Sequence, residues 1–312
     1  MRKWIFGLTT LIILALAVVY FFIPANNMVL TQAKPAGSAG SVLRAIGFSS
    51  YRTKWLPPEG KQLSATEYEL DDCKFIFPAD NTFDNNIIIV YKNKTISSLI
   101  TAEAVKDSAL VNWIFTLQSN NNPINRVSDY RAAKKIKLAT EKILKKWVAY
   151  AGNNKNIYGI NIKRTAQTDS TLISIKSPPV NNYPSIEDIY GKISKLEQYA
   201  LANDAVVTKP PMLNISGSGS SWFYMVALSV NKALPDNADI IAKRMFAGGK
   251  ILESDSITGG FKTVDHFINE LEKFRADNSY MSPAIPFQSL ITNRLTQPDS
   301  TKWITKLYYP VY

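Results

Sequence analysis

The sequence predicts an α+β protein with three parts: an amino-terminal transmembrane helix, a domain in which an antiparallel sheet precedes a long helix, and a domain with pseudo-twofold symmetry. Three observations support this prediction. Residues 4–24 are uncharged and mostly apolar, residues 131–150 have the period of an amphipathic helix, and residues 156–312 contain one pattern twice. The predicted boundaries are 1–25, 26–152 and 156–312.

The composition is that of a globular chain. The 312 residues are 46% hydrophobic and 20% charged, which excludes collagen-like and wholly disordered proteins and leaves room for about two domains. The net charge of +11 suggests nucleic acid or an anionic membrane surface as a partner. One cysteine, Cys73, excludes an intramolecular disulfide, and one histidine, His266, excludes a three-histidine or HExxH zinc site within the chain. We therefore expect no metal centre and no cofactor.

The amino-terminal segment has the length of a membrane span. Arg2 and Lys3 precede an uncharged stretch from Trp4 to Pro24, and about 20 helical residues cross a hydrocarbon core of about 30 Å. The positive charges ahead of the stretch predict a cytoplasmic amino terminus and an extracytoplasmic, periplasmic globular part. The alternative is a cleaved signal peptide, although no Ala-x-Ala site follows Tyr20. We expect a single-pass membrane protein held through residues 4–24.

Alternating and β-rich stretches predict an antiparallel meander between about residues 64 and 118, namely YELDDCKFIF, IIIVY, TISSLITAEA and ALVNWIFTLQ. A first strand near 28–32 and a short helix near 41–46 precede them, and SNNNPINR is typical of a loop. The helix over residues 131–150 follows, and Leu138 alone interrupts its polar side. Its apolar stripe contains Ala132, Ala133, Ile136, Ala139, Ile143, Leu144 and Trp147.

The opposite side of this helix carries much of the positive charge of the chain. It contains Arg131, Lys134, Lys135, Lys137, Glu141, Lys142, Lys145 and Lys146. We interpret it first as the solvated face of a helix that packs on a core. Contact with anionic lipid headgroups is the alternative, since each cation near such a surface contributes about 1 kcal/mol. Direct binding of nucleic acid is the weakest interpretation because the globular part is expected outside the cytoplasm.

Residues 156–231 and 240–312 repeat a strand, a helix and a hairpin. The first copy contains YGINIKRTA, TLISIK, a helix over 186–203, and PPMLNIS and WFYMVALSV around the turn GSGSS. The second contains IIAKRMF, GKILESD, a helix over 263–275, AIPFQSLI and WITKLYYPV. Two such copies predict a pseudo-twofold domain with one joined sheet. The alignment pairs Trp222 with Trp303, Phe223 with Ile304, Val226 with Leu307 and Val230 with Val311.

Two stretches of the second region, RMFAGGKILESDSITGGF (244–261) and IPFQSLITNRLTQPDSTKWITKLYYPV (285–311), carry a Gly-Gly-Lys strand, a Gly-aromatic helix start and a Pro-Asp-x-x-Lys-Trp turn into a strand ending Tyr-x-Pro-Val. With these motifs the carboxyl-terminal half resembles the effector-binding domain of AraC-type transcription activators, also called the gyrase-inhibitor-like (GyrI-like) domain. SVLRAIGFSSYRTKWLP, ALVNWIFTL and the long helix make residues 26–152 similar, through looser motifs, to the START-like helix-grip superfamily (SRPBCC, polyketide cyclase-like). The tandem resembles an arrangement of bacterial envelope proteins.

The resemblance implies a cleft between the two repeats that holds lipophilic, often cationic compounds between aromatic walls, with a buried glutamate that offsets the charge. The family's glutamate position corresponds to Gln288 here, and its tyrosine position to Leu290. An amide neither balances a full positive charge nor acts as a general base. Neutral ligands are therefore expected, and hydrolysis of strained rings by that glutamate, an activity suggested for some relatives, is not. The predicted ligand-binding residues are Trp222, Tyr224, Met245, Phe287, Gln288, Trp303 and Tyr309; no catalytic residue is predicted.

Simpler interpretations remain open for these residues. Each aromatic residue could fill the core, and Tyr308 and Tyr309 cannot both face a cleft because strand side chains alternate. Glu253 and Asp255 could supply a carboxylate, although surface positions on a strand explain them as well. We expect an exposed His266 without a role.

Two further features of the chain have simple interpretations. Cys73 is expected to be buried as a small hydrophobic residue. In the amino-terminal domain a set of aromatic residues either lines or fills a cavity under the long helix: Trp55, Tyr68, Phe75, Phe77, Tyr91, Trp113 and Phe115.

The sequence thus favours a non-catalytic, membrane-anchored protein that binds a small lipophilic molecule. A hydrolase of reactive small molecules that uses Glu253, Asp255 or a tyrosine is the first alternative. A ligand-sensing regulator that acts through a partner is the second, and no direct nucleic-acid binding is expected because no helix-turn-helix is visible. The oligomeric state is left open.

Overall fold

A computed structural model describes residues 2–80, 86–105, 108–120, 122–166, 170–245, 249–282 and 284–312. The chain divides into two compact units, Met1–Ile157 and Tyr158–Tyr312. The start of the predicted Gly-Gly-Lys strand, at residue 248, lies outside the described residues.

The amino-terminal unit contains one seven-stranded antiparallel sheet and a long helix. Its elements are α1 (Arg2–Phe22), β1 (Asn26–Ala33), α2 (Ala39–Gly47), α3 (Ser49–Trp55), β2 (Lys61–Gln62), β3 (Glu67–Leu70), β4 (Cys73–Ile76), β5 (Asn86–Tyr91), β6 (Lys94–Val105), β7 (Ser108–Gln118), α4 (Pro123–Ala151) and α5 (Asn154–Tyr158). The strand order is β1-β7-β6-β5-β4-β3-β2. Apart from β1, each strand lies beside its neighbour in sequence, as expected for a meander.

The buried face of this sheet follows directly from the alternation of the strands. Tyr68 pairs with Phe75, Phe75 with Ile89, and Ile89 with Ile96, and all four side chains are buried. Such cross-strand neighbours lie within about 5.5 Å of one another and form a continuous apolar row. The residues between them point to the opposite face, so a shift of one position would expose the whole row.

Helix α4 packs on the unit through the predicted apolar stripe. Ile136, Ile143 and Trp147 are fully buried, whereas Leu138, the apolar residue on the polar side, is 58% exposed. The indole Nε1 of Trp147 donates to the Val42 carbonyl at 3.0 Å, and the indole stacks on Trp55 with ring centroids 6.1 Å apart. A buried tryptophan with a satisfied N–H fixes the helix against α2 and α3.

The start of α4 differs from the sequence-based expectation. The stretch SNNNPINR, expected to be a loop, contains the first turn of the helix, which begins at Pro123 rather than at Arg131. The Oδ1 atom of Asn122 accepts a hydrogen bond from the Ile124 amide at 2.9 Å. Asparagine as the capping residue, followed by proline at the first helical position, is a favoured helix start. Composition typical of a loop masked this signal.

Helix α1 covers the apolar amino-terminal segment. The side chains of Leu11 and Ile13 are exposed, and the Arg126 guanidinium lies 4.7 Å from the centroid of the Tyr20 ring. Within the described residues, no helix has both the length and the apolar character needed to cross a membrane.

The carboxyl-terminal unit contains one nine-stranded antiparallel sheet and two long helices. Its elements are β8 (Ile162–Ala166), β9 (Ser170–Lys176), α6 (Ile186–Ala202), β10 (Met212–Ser218), β11 (Ser221–Val230), β12 (Ile241–Met245), β13 (Lys250–Ser254), β14 (Ile257–Thr258), α7 (Phe261–Asp277), β15 (Phe287–Leu290), a 3₁₀ turn (Ser300–Lys302) and β16 (Ile304–Val311). The strand order is β12-β9-β11-β10-β15-β16-β13-β8, and β14 pairs with β16.

The strand order shows the internal repeat. The units β9-α6-β10-β11 and β13-α7-β15-β16 take equivalent places on the two sides of a central seam, where Met212 pairs with Ser289 and Leu213 with Gln288. The edge strands are exchanged between the copies: β8 pairs with β13 of the second copy, and β12 pairs with β9 of the first. Each copy therefore completes the sheet of the other.

One face of this sheet is covered by helices and the other is open. The covered face contains Leu213, Val226 and Leu228, which form a core cluster with Ile189 and Leu196 of α6. The open face contains a smaller buried group made of Leu172, Met212 and Ala227. The two faces have separate side-chain sets because successive residues of a strand point in opposite directions.

Candidate functional site

The predicted ligand-binding residues lie on both faces of the carboxyl-terminal sheet. Met245 and Phe287 lie on the open face, where they pack against the small group around Met212. The other five lie on or beside the covered face: Trp222, Tyr224, Gln288, Trp303 and Tyr309. The structure therefore does not bring the seven residues together in one pocket, and the two groups must be considered as two separate sites.

The open face has a cleft of about 400 Å³ across the seam between the repeats. Phe287 and Tyr308, which are cross-strand partners, stack in it with ring centroids 5.2 Å apart and ring planes 15° apart. Met212 and Met245 supply flexible apolar surface. Tyr308, and not the predicted Tyr309, therefore belongs to this cleft.

Opposite charges form one wall of the cleft. The Lys306 Nζ donates to the Glu253 Oε1 at 2.8 Å, and the Tyr308 hydroxyl lies 3.4 Å from the same oxygen. The hydrogen bond to Glu253 raises the pKa of the Lys306 ammonium. Burial, followed by the negative charge of Glu253, raises the pKa of Tyr308. The Glu253–Lys306 pair thus has no net charge and its carboxylate is already engaged by a cation, while Lys209 also lines the cleft.

The second carboxylate that the sequence suggested lies elsewhere. Asp255 accepts a hydrogen bond from the Asn161 side-chain amide at 2.5 Å, outside the residues that line the cleft. Glu253 is therefore the carboxylate of the cleft.

The covered face carries a chain of aromatic contacts. Tyr183 packs edge-on against Trp222 and Phe261, with centroids 5.1 and 4.9 Å apart, and Phe261 packs against Trp303 at 5.4 Å. Tyr183, Trp222 and Phe261 are half-buried, whereas Trp303 is buried. Edge-to-face packing at these distances contributes free energy in addition to that gained from the apolar area the rings bury.

Arg294 lies within this aromatic group. Its guanidinium carbon is 4.8 Å from the centroid of the Trp303 ring and 5.0 Å from that of Phe261. The Arg294 amide donates to the Tyr190 hydroxyl at 2.8 Å, and this hydroxyl donates to the Thr292 carbonyl at 3.2 Å. These bonds attach the loop after β15 to helix α6. Burial lowers the pKa of Arg294.

Gln288 lies at the centre of the covered face. It is buried between Leu213 and Leu307 in the strand register, and its Oε1 atom has no partner among the described residues. The residue that the resemblance places in the ligand site is thus separated by the sheet from the cleft that contains Phe287. Gln288 and Phe287 are neighbours in sequence, so strand alternation alone accounts for this separation.

The part of the chain that the structure describes contains no cluster of three histidine, cysteine or carboxylate side chains able to hold a metal ion. His266 is exposed and Cys73 is buried, as the sequence predicts.

The aromatic residues of the amino-terminal unit pack on one another. Trp55 contacts Phe77 edge-on at 6.4 Å, and Phe75 contacts Trp113 at 5.9 Å. The Trp113 indole donates to the Ser98 hydroxyl at 3.0 Å. All seven predicted aromatic residues are buried, and the contacts of Trp55, Phe77, Phe75 and Trp113 show that these four pack into the core.

Sequence reasoning found Phe287 and Met245 but did not select Lys306, Tyr308 or Arg294. The alternation of β16 predicts that either Tyr308 or Tyr309 faces a cleft, and the cross-strand partner of Phe287 decides between them. Nothing in the pattern around Arg294 distinguishes it from an exposed arginine, because the burial of a loop residue depends on which elements pack over it.

No family model matches the chain, and no curated protein matches it. Among solved structures, it is similar to the carboxyl-terminal domain of EcmrR, with 16% identity over 49% of this chain and 98% of that chain and a TM-score of 0.41. A hydrolase from Listeria innocua has 10% identity over 48% of this chain and 91% of its own, with a TM-score of 0.36. SAV2435 bound to tetraphenylphosphonium has 17% identity over 49% of this chain and 94% of its own, with a TM-score of 0.32. Similarity at this level assigns neither a family nor an activity to the chain.

Proposed function

We propose that the carboxyl-terminal unit binds a small, mostly apolar molecule in the open-face cleft without transforming it chemically. The observation that carries this proposal is the stacked pair of Phe287 and Tyr308 in the lining of a cleft of about 400 Å³. Pockets for small molecules commonly have volumes of about 300–1,000 Å³ and combine apolar walls with a few polar groups. Met212 and Met245 adapt such a wall to ligands of different shape.

The ion pair of the cleft supports a preference for neutral over cationic ligands, and Lys209, which also lines the cleft, acts in the same direction. Glu253 is in an ion pair with Lys306, so its charge is offset before any ligand enters. A cationic ligand would have to compete with this lysine for the carboxylate. A neutral aromatic or polycyclic molecule instead gains contact with the rings and methionines and leaves the ion pair intact. The same ion pair makes the hydrolase alternative less favourable. Glu253 is engaged by Lys306 and is therefore not free to act as a general base.

Titration of the full chain with the neutral lipophilic dye Nile red tests this proposal. We expect saturable binding, and we expect Phe287→Ala to weaken it by about tenfold or more, since a buried aromatic side chain contributes at least about 1.4 kcal/mol. Phe267→Ala removes a half-buried phenylalanine from α7, away from the cleft, and is the matched control. Equal affinity of Phe287→Ala and the unchanged protein would contradict the proposal, as would the absence of saturation.

A carboxylate variant separates binding from hydrolysis. Glu253→Gln removes the ion pair with Lys306 but keeps the shape of the side chain. We expect this variant to bind Nile red still. Turnover of an electrophilic test substrate that disappears in Glu253→Gln would instead support the enzymatic alternative.

We also propose that residues 4–24 hold the protein in a membrane, with the amino terminus in the cytoplasm and both globular units on the other side. The uncharged stretch from Trp4 to Pro24 and the positive charges of Arg2 and Lys3 support this proposal. A ligand of the cleft would then be captured in the extracytoplasmic space.

A further inference from the structure

Arg294 is a buried cation that pairs with no carboxylate among the described residues. The residue is 3% exposed, and Nη2 donates to the Thr305 hydroxyl at 3.0 Å. Nε and Nη1 are buried and have no acceptor within the described residues, where no carboxylate forms an ion pair with this guanidinium. Burial of a charged group with unsatisfied donors costs free energy unless an acceptor is supplied. The donors of Arg294 are therefore suited to an anion that enters the aromatic group.

A second unsatisfied donor lies beside Arg294. The Tyr183 hydroxyl is buried and has no partner among the described residues. Tyr183 and Arg294 both pack on Phe261, at 4.9 and 5.0 Å from its ring centroid. Burial, followed by the charge of Asp265, raises the pKa of Tyr183, so this hydroxyl keeps its proton and stays a donor. Asp265 is exposed on α7.

The start of helix α7 adds to the positive character of this place. Phe261 is the first residue of the 17-residue helix, its capping residue Gly260 supplies no side-chain acceptor, and the first turn contains no acidic residue. The Gly259 amide donates to the Trp303 carbonyl at 2.9 Å, which holds this helix end beside the buried tryptophan. The first amides of a helix and its dipole attract negative charge.

We propose that Arg294, Tyr183 and the amino-terminal end of α7 bind the carboxylate of a small aromatic or otherwise apolar anion. Such a ligand would place its carboxylate against the donors and its body against the rings of Phe261 and Trp303. A fully hydrated inorganic anion fits this place poorly, because it would lose its water and gain few contacts. The half-buried rings of Tyr183 and Trp222 form the outer edge of the site. This site lies on the opposite face of the sheet from the open-face cleft, so it goes beyond the function proposed above.

Binding of benzoate to the full chain, measured by calorimetry and by the shift in Tm, tests this inference, with benzamide as the neutral probe of the same shape. We expect benzoate to bind saturably and to raise Tm. Benzamide should bind about tenfold or more weakly, because charge-assisted hydrogen bonds contribute about 1.5–3 kcal/mol. Equal binding of the two probes would overturn the inference.

Variants then locate the anion. Arg294→Met removes the charge but keeps much of the volume, and it should weaken benzoate binding by about tenfold or more. Arg164→Met is the matched control, because Arg164 is an exposed arginine that also lies over a ring, that of Tyr280 at 4.9 Å. Its benzoate affinity should stay within about twofold. A folded Arg294→Met protein with unchanged affinity for benzoate would refute the proposal.

Two more variants keep the test decisive if Arg294→Met does not fold. Tyr183→Phe removes only the hydroxyl and should weaken benzoate binding by about threefold or more, the effect of one lost hydrogen bond. Unchanged affinity in that variant contradicts the site. Phe287→Ala should leave benzoate binding within about twofold. If it abolishes benzoate binding instead, the anion occupies the open-face cleft and the present inference fails independently of the proposed function.

Discussion

The surroundings of Cys73, at the start of β4, determine the reactivity of its thiol. Its side chain is fully buried and has Tyr91 as its cross-strand partner. Burial, followed by the charges of Asp71 and Asp72, raises the pKa of the thiol from 9.0 to about 12. The thiolate is the reactive form of cysteine, so the folded protein should resist thiol reagents at neutral pH.

This shift predicts a loss of stability in alkali. The folded state keeps the Cys73 proton up to a pKa of about 12, whereas the unfolded state loses it near 9.0. Stability from this group is therefore fully present below about pH 9 and decreases as the pH rises towards 12, by at most about 1.4 kcal/mol per pH unit. Urea unfolding at pH 8 and pH 10 should show a smaller decrease for Cys73→Ala than for the unchanged protein.

The comparison at these two pH values isolates the cysteine. Tyr68, whose hydroxyl donates to the Pro57 carbonyl, also has its pKa raised to about 12, chiefly by burial, but its ordinary value is 10.0. Tyr68 therefore changes the free energy of unfolding mainly above pH 10. Its contribution is the same in Cys73→Ala and in the unchanged protein, so it cancels in the comparison. An identical pH dependence of the two proteins would show that Cys73 is not protected as the structure indicates.

Among the site residues, only the identity of the side chains could be read from the sequence. Phe287, Gln288 and Tyr308 all belong to the stretch that resembles a ligand-binding family, and the resemblance treats the stretch as one site. Cross-strand pairing instead puts Phe287 beside Tyr308 and Gln288 beside Leu307. A shift of one position along a strand places a side chain on the opposite face of the sheet. A one-residue ambiguity in aligning the sequence with the family motif therefore assigns the residue to a different site.

Helix α4 shows what periodicity can and cannot provide for an element. The predicted stripe of alanine, isoleucine, leucine and tryptophan side chains is buried, and Leu138 is exposed as the pattern requires. The first eight residues were missed, because Arg126 and Asp129 interrupt the apolar pattern there. Both are nevertheless buried, and Asp129 forms an ion pair with Lys94 of β6 at 2.7 Å. Long-range charge pairing of this kind leaves no periodic signal.

The helix start supplies a prediction at the scale of the element. Asn122→Ala removes the acceptor that binds the Ile124 amide and should lower the free energy of unfolding by about 1 kcal/mol. Asn122→Asp keeps the acceptor and adds a negative charge at the positive end of the helix, so it should be as stable as the original or more stable. Denaturant unfolding measures both. Equal stability of the alanine and aspartate variants would show that this cap contributes nothing.

The exchange of edge strands is a second property of elements that the repeat pattern left undetermined. The two copies were expected to be successive strand, helix and hairpin units. In the structure, β8 adds to the second copy and β12 adds to the first. The alternation of side chains along β8 and β12 is the same whether each strand pairs within its own copy or with the other copy. The pairing is decided by which edge each strand can reach, and this depends on the packing of the other elements.

At the scale of the whole molecule, the proposed membrane attachment has a direct test. After expression in a bacterium, the full chain should stay in the membrane fraction during alkaline carbonate extraction if the uncharged segment from Trp4 to Pro24 is the proposed anchor. A chain of residues 26–312 should be released by the same treatment. Release of the full chain would exclude an integral anchor.

Orientation is measured separately from attachment. Protease added to spheroplasts should digest the globular units of the full chain, as expected for an amino terminus retained in the cytoplasm by Arg2 and Lys3. Protection from the protease until the membrane is dissolved would show that the units lie in the cytoplasm. The open-face cleft would then meet cytoplasmic rather than extracytoplasmic ligands.

The sequence by itself determined the α+β class, the buried stripe of α4 and the identity of most strands. These properties depend on the alternation of apolar and polar residues in strands and on the 3.6-residue period of helices, both of which are visible in the sequence. Only the tertiary structure decided the edge-strand exchange, the division of the predicted site between two faces, and the burial of Arg294 beneath Trp303 and Phe261. Those features depend on contacts between residues far apart in sequence, and no local pattern specifies which strand, ring or charge will be the neighbour.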